Sequence, residues 1–130
     1  MVKIKLCGIV VDDQQKALDF YTGTLGFLKS EDIPVGEFRW ITVKSPEGGE
    51  TELSLEPNAN PAAKTFQEAM FEQGIPATAF EVDDIQGEFQ RLSDLGVVFT
   101  SEPTDAGPVT LAIFADTCGN LIQIYQHSQE

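Results

Sequence analysis

Val11-Asp12-Asp13, followed by Gln15, recurs as Val82-Asp83-Asp84, followed by Gln86, at a constant spacing of 71 residues (11 to 82). A duplication of this kind defines equivalent positions, so each half can be read against the other. In both copies the aspartates stand ahead of a run with helical spacing. Ala17, Leu18, Phe20 and Tyr21 form the apolar stripe of the first, and Phe89, Leu92 and Leu95 that of the second. Both runs stop at a glycine, Gly26 before Phe27-Leu28 and Gly96 before Val97-Val98-Phe99. That pattern predicts a helix closed by a left-handed glycine and followed by a strand. Further on, the same spacing maps Trp40-Ile41-Thr42-Val43 onto Leu111-Ala112-Ile113-Phe114, Gly48 onto Gly119 and Leu53 onto Ile124. SPEGG (45–49) and DTCGN (116–120) then read as equivalent hairpin turns.

Each half therefore predicts a strand, a helix and three strands. The modules span about 3–56 and 76–127 and are expected to form one domain over 1–130, joined by a helical linker within 57–75. Its core is PAAKTFQEAMFEQ (61–73), where Ala63, Phe66, Ala69 and Met70 have helical spacing and Gly74 and Pro76 supply stop signals. The fold class is α+β. A four-stranded sheet with one helix buries only one face, so the paired βαβββ modules are expected to form a curved mixed sheet around a cleft, where ligands bind.

The chain has 130 residues, enough for a core without staples, and its 42% hydrophobic and 22% charged content is that of a globular protein. Eight Lys+Arg against 21 Asp+Glu give a net charge of −13. This disfavours nucleic acid and anionic membranes as partners and could attract a cationic one. No apolar run approaches the ~18 residues of a membrane span. MVKIKLCGIVVDD (1–13) turns acidic too early for an export signal, so a cytoplasmic location is expected. Cys7 and Cys118 then read as reduced thiols, with Cys118, in a turn, a candidate reactive one although nothing cationic adjoins it in sequence.

Asp13 with KALDFYTGTLGF (16–27), together with FADTCGNLIQIYQ (114–126), resembles the vicinal oxygen chelate superfamily. This family groups glyoxalase I, bleomycin-resistance proteins and extradiol dioxygenases, all built from paired βαβββ modules. The resemblance implies four metal-ligand positions, one on the first and one on the last strand of each module. They fall on Leu6, Glu52, Ala77 and Gln123, and the 71-residue spacing relates the two pairs. Glu52 alone is an ordinary metal ligand, and one carboxylate with one amide does not replace two imidazoles. The sole histidine, His127, stands near a terminus. No metal or other cofactor is expected. The family also implies a homodimer.

Side chains alternate across a strand, so these positions select one face. Leu6, Gly8, Glu52, Ser54, Ala77, Ala79, Gln123 and Tyr125 share it, with Trp40 if it keeps the parity of its hairpin partner. The opposite parity, Ile9, Val11, Leu53, Leu55, Phe80, Val82, Ile122 and Ile124, belongs against the helices. Small residues leave volume, and an indole beside a carboxylate and an amide suits a flat aromatic or cationic small molecule. Arg39 is expected either to neutralise Glu52 or to sit in solvent. The leading expectation is a bleomycin-resistance-like protein that binds a small organic molecule without the usual His/Glu metal site. The alternative is a lyase, isomerase or dioxygenase-type enzyme using Glu52 as a base, its pKa raised by burial. A third is a protein-interaction module.

Overall fold

The computed structural model describes residues 1–128. The order is β1 (Leu6–Val11), α1 (Gln14–Asp19), a π-helical turn (Phe20–Thr24), β2 (Leu28–Val35), β3 (Phe38–Lys44), β4 (Glu52–Pro57), α2 (Pro61–Glu72), β5 (Thr78–Glu81), α3 (Ile85–Asp94), β6 (Phe99–Asp105), β7 (Val109–Ala115) and β8 (Leu121–His127). The chain divides into two compact units, Met1–Phe66 and Gln67–Glu130, with the boundary inside α2. Each holds one four-stranded sheet, ordered β1-β4-β3-β2 in unit 1 and β5-β8-β7-β6 in unit 2. The outer pairs β1–β4 and β5–β8 are parallel and the rest antiparallel. The α+β class with two βαβββ modules stands. No described helix is long and apolar enough to cross a membrane.

The repeated aspartates are helix N-caps. Asp13 accepts a hydrogen bond from the Lys16 backbone N–H at 3.0 Å and Asp84 one from Gly87 at 3.1 Å, each satisfying a donor that the first turn leaves unpaired. The glycine stops take the left-handed conformation, with φ of 94° at Gly26 and 90° at Gly96. Between cap and stop the first helix departs from simple α geometry, because the Leu25 N–H reaches Phe20 O five residues back at 3.0 Å. Ala17, Leu18, Phe20 and Tyr21 are all buried on it.

In unit 1 the core joins those residues to Ile9, Val11, Ile41, Val43 and Leu55. In unit 2 Ile85 and Leu92 of α3 bury with Ala112, Phe114, Ile122 and Ile124, and Phe99 bridges Phe89 and Phe114 edge to face. Leu53, Phe80 and Val82 are half-buried on the same parity. Each large apolar side chain so buried contributes about 2 kcal/mol.

Three expectations need correction. On α2 the buried side chain is Gln67, while Phe66 is 64% exposed, because the Gln67 amide binds the turn at 116–120 instead of leaving an apolar stripe to pack. Cys118 is fully buried in that turn and so is not poised as a reactive thiol; neither cysteine forms a disulfide. Finally, the 71-residue spacing does not carry through the last strands. Leu6 pairs with Glu52 and Gly8 with Ser54, but Ala79 pairs with Gln123 and the Ala77 N–H bonds Leu121 O. The β7–β8 connection (116–120) is two residues shorter than the β3–β4 connection (45–51), so Leu121 takes the place of Glu52 and Gln123 that of Ser54. A slip of two preserves parity, and the predicted faces survive.

Candidate functional site

The face of the unit 1 sheet opposite α1 carries the richest chemistry. Leu6↔Glu52 and Gly8↔Ser54 across β1–β4, with Thr42↔Ser54 across β3–β4, put these side chains on one surface. Trp40, two residues from Thr42, shares it, so the condition that the sequence left open, that it keep the parity of its hairpin partner, is met. The next cross-strand pairs, Ile33↔Trp40 and Val35↔Phe38, continue the same surface toward the tip of the β2–β3 hairpin. Ile33, Val35 and Phe38 are exposed there, giving an apolar and aromatic strip.

At the centre lie two buried hydroxyls, Thr42 and Ser54, each 1% exposed. Both donate to carboxylates. Thr42 Oγ1 gives its hydrogen to Glu52 Oε1 at 2.6 Å, and Ser54 Oγ to Glu56 Oε2 at 2.7 Å. A third carboxylate, Glu31, accepts the Trp40 indole N–H at 3.1 Å, which fixes the ring and satisfies its donor. Hydrogen bonds from Thr42 and Ser30 hold the Glu52 carboxyl below its ordinary pKa, helped by the charges of Lys44 and Lys5 and opposed by partial burial. Glu52 is thus an ionised acceptor, and the expected upward shift is not found, because donors aimed at the charged form outweigh desolvation.

Arg39 neither neutralises Glu52 nor extends into solvent. Its guanidinium forks onto Asp32, with Nε at 3.0 Å and Nη2 at 2.6 Å, and Nη1 reaches Gln15 Oε1 at 2.7 Å. That hydrogen-bonded pair lowers the Asp32 pKa and raises that of Arg39. Its backbone is tied to the Gln14 amide, which also bonds Leu55 O at 2.8 Å and so clamps α1 to β3 and β4.

In unit 2 the matching face, opposite α3, mixes apolar residues with Gln123, Glu81 and His127. Ala79, Gln123 and Tyr125 lie on it together with Ile113, the partner of Gln123, and Leu111, the partner of Tyr125. Gln123 and Tyr125 are half-exposed and Ala79 exposed. Ala77 precedes β5 and takes part through its backbone. The Tyr125 ring meets His127 edge to face at 5.6 Å, and His127 Nε2 lies 3.5 Å from Glu81 Oε2.

Thr42, Ser30, Glu31 and Glu56 went unselected in the sequence. Glu56 was accessible by parity, since it follows Glu52 and Ser54 along one strand. Ser30 was not, because it sits at the β2 bulge between Lys29 and Glu31, which only the sheet register reveals.

Comparison with known proteins places this geometry in a family. YurT of Bacillus subtilis (strain 168), an uncharacterized protein, is 58% identical over 96% of the chain and 99% of its own length. The crystal structure of UcmS2 superposes with a TM-score of 0.83 at 29% identity, covering 96% of this chain and 98% of that one. TnmS3, an antibiotic binding protein from Streptomyces sp. CB03234, gives 0.79 at 30% identity with 98% of each chain covered. The family described as Glyoxalase/Bleomycin resistance protein/Dioxygenase superfamily matches residues 3–124, and the chain belongs to it.

Proposed function

We propose that the chain binds a small, flat organic molecule on the unit 1 sheet face, held by stacking on Trp40 and by hydrogen bonds to Glu52. The observation that carries this reading is the indole fixed by Glu31 on the same sheet face as the ionised Glu52 and continued by an exposed apolar strip. TnmS3, named as an antibiotic binding protein, is a relative of the same fold at 30% identity and supports it. In unit 2, Ala79, Gln123 and Tyr125 offer a second, more apolar contact surface.

The family's metal-dependent chemistry does not fit this donor set. Leu6, opposite Glu52, and Ala77 have hydrocarbon side chains, and so does Leu121, which takes the place of Glu52 in unit 2, while Gln123, one step along the same face, brings a neutral amide. The enzymatic reading through Glu52 needs a carboxylate that takes up a proton readily, whereas Thr42 and Ser30 stabilise the ionised form. We extend the proposal to a cytoplasmic homodimer, which light scattering of the purified protein checks. Exposed Phe66 and Phe71 of α2 supply apolar surface for it.

Trp40 is the only tryptophan, so its fluorescence reports on this face alone. Titration with a panel of flat aromatic compounds, including antibiotics, is expected to quench it and to raise the melting temperature, as any ligand selective for the native state must. A panel that produces neither effect at millimolar concentration sinks the binding reading.

A further inference from the structure

Two carboxylates flank Ser54 on β4, and they are held differently. Glu52 accepts from Thr42 and Ser30 and has Lys44 directly opposite. Among the described residues, Glu56 accepts one hydrogen bond, from Ser54, and enters no ion pair. It is exposed, and its carboxylate rests on β1 where Gly8 has no side chain. A Cβ at position 8 would collide with Glu56 Oε2 and stand 3.1 Å from Ser54 Oγ. Gly8 therefore provides a notch, and Glu56 fills it. The floor of that notch is a buried hydroxyl whose hydrogen currently goes to Glu56.

We propose that Glu56 is the ligand-selecting residue of this face, a displaceable carboxylate over the Gly8 notch that takes a charged N–H group of an aromatic cation lying on Trp40. The inference rests on the binding reading above and adds the class of ligand, an aromatic organic cation, and the residue that chooses it. The strip formed by Trp40, Ile33, Phe38 and Val35 accepts the flat apolar part. Glu52 already has its donors, so Glu56 is the carboxylate whose replacement partner costs least. It gives up one hydroxyl hydrogen bond and gains a charge-assisted one. Ser54 is then released toward the ligand.

The test is calorimetric titration of the full chain with 9-aminoacridine, a cation at neutral pH, and with acridine, which is neutral there and has the same ring. The wild type is expected to prefer the cation by roughly fivefold, the scale of one partly exposed charge pair. Glu56→Gln should abolish the preference while leaving acridine affinity unchanged. Gly8→Ala, which evicts the carboxylate from its notch but keeps its charge, should change the preference without abolishing it. Glu50→Gln, which removes an equal charge from an exposed residue 3.8 Å from Lys3, should retain the preference. Equal wild-type affinities, or a preference that survives in Glu56→Gln, overturn the inference, as does binding of other flat aromatics but neither acridine. Should Gly8→Ala fail to fold, Glu56→Gln, on an exposed side chain, still decides. Absence of binding by every aromatic compound tried defeats instead the reading on which the inference rests.

Discussion

The two modules have the same strand order, the same aspartate cap and the same glycine stop, yet their hairpin turns and open faces differ. In unit 1 the β3–β4 turn runs through exposed residues, from Ser45 to Thr51. In unit 2 the β7–β8 turn is buried and knotted by polar groups. Asp116 Oδ1 accepts the N–H groups of Cys118 at 2.7 Å and Asn120 at 3.0 Å, and Oδ2 accepts Asn120 Nδ2 at 2.9 Å. From α2, Gln67 Nε2 donates to Cys118 O at 3.1 Å and Asn120 Oδ1 at 3.2 Å. The faces differ as well, buried hydroxyls bonded to carboxylates in unit 1 against Leu111, Ile113, Gln123 and Tyr125 with the exposed Glu81–His127 pair in unit 2. What the modules share is what a βαβββ unit needs in order to fold. What they do not share is where each can acquire a role of its own.

The largest effect expected from this asymmetry is at Asp116. Replacing it with Ala removes the acceptor of three buried donor groups, so Asp116→Ala should lower unfolding free energy by about 3 kcal/mol. The corresponding change in the open turn, Glu47→Ala, should stay within about 0.5 kcal/mol. Urea denaturation of the two variants measures both, and similar values would mean that the buried network contributes little. A finer comparison uses the turn glycines. Gly48 and Gly119 have φ of 101° and 99°, so Ala at either is strained by about 1 kcal/mol. Around Gly48 space is open, whereas a Cβ on Gly119 would lie 2.7 Å from Gln67 Nε2. Gly119→Ala should therefore cost more than Gly48→Ala, and the excess should vanish in a Gln67→Ala background.

The caps form the symmetric control. Asp13→Ala and Asp84→Ala should each cost about 1 kcal/mol, since each removes one side-chain acceptor from a first-turn N–H. A much larger loss at one of them would show that the modules are less equivalent than their backbones.

These shared features were the legible ones. Val-Asp-Asp, Gly26 and Gly96 act locally, through hydrogen bonds a few residues long and through a backbone angle that favours glycine, so their meaning is present in the sequence order itself. Face assignment was legible for the same reason, because strand parity is local. Register was not. The two-residue slip that replaces Glu52 by Leu121 comes from unequal turn lengths, and the 71-residue spacing concealed it by matching Gly48 to Gly119. Gln67 did not stand out beside the stripe of Ala63, Phe66, Ala69 and Met70, since its partners Cys118 and Asn120 are more than fifty residues away. Arg39 misled similarly, because the cross-strand neighbour that captures it, Asp32, lies on the hairpin arm before it. At the candidate site Glu52 was named from the family resemblance and Ser54 and Trp40 by parity from it, while the hydroxyls that hold Glu52 ionised, Thr42 and Ser30, required the folded sheet.

The smallest expected effect isolates that last point. Glu52 has its carboxyl pKa lowered in the folded protein, so its hydrogen bonds contribute stability that is present above the unfolded pKa and lost as pH falls through the folded one. Below both values the contribution is gone, and raising the pH above neutrality should not alter it. Thr42→Val keeps the shape of the buried side chain and removes the leading donor. The Glu52 titration midpoint, followed by NMR at its carboxyl carbon, should then move up toward the ordinary carboxylate range. Ser30 and the two lysines would keep part of the depression. The acid limb of the stability curve should shift in the same direction, while the unit 2 turn, measured through Cys118 amide exchange, should be unaffected. An unchanged midpoint would transfer control of Glu52 from the buried hydroxyl to Ser30, Lys44 and Lys5, and the two faces would then differ in charge alone and not in the hydroxyl floor beneath it.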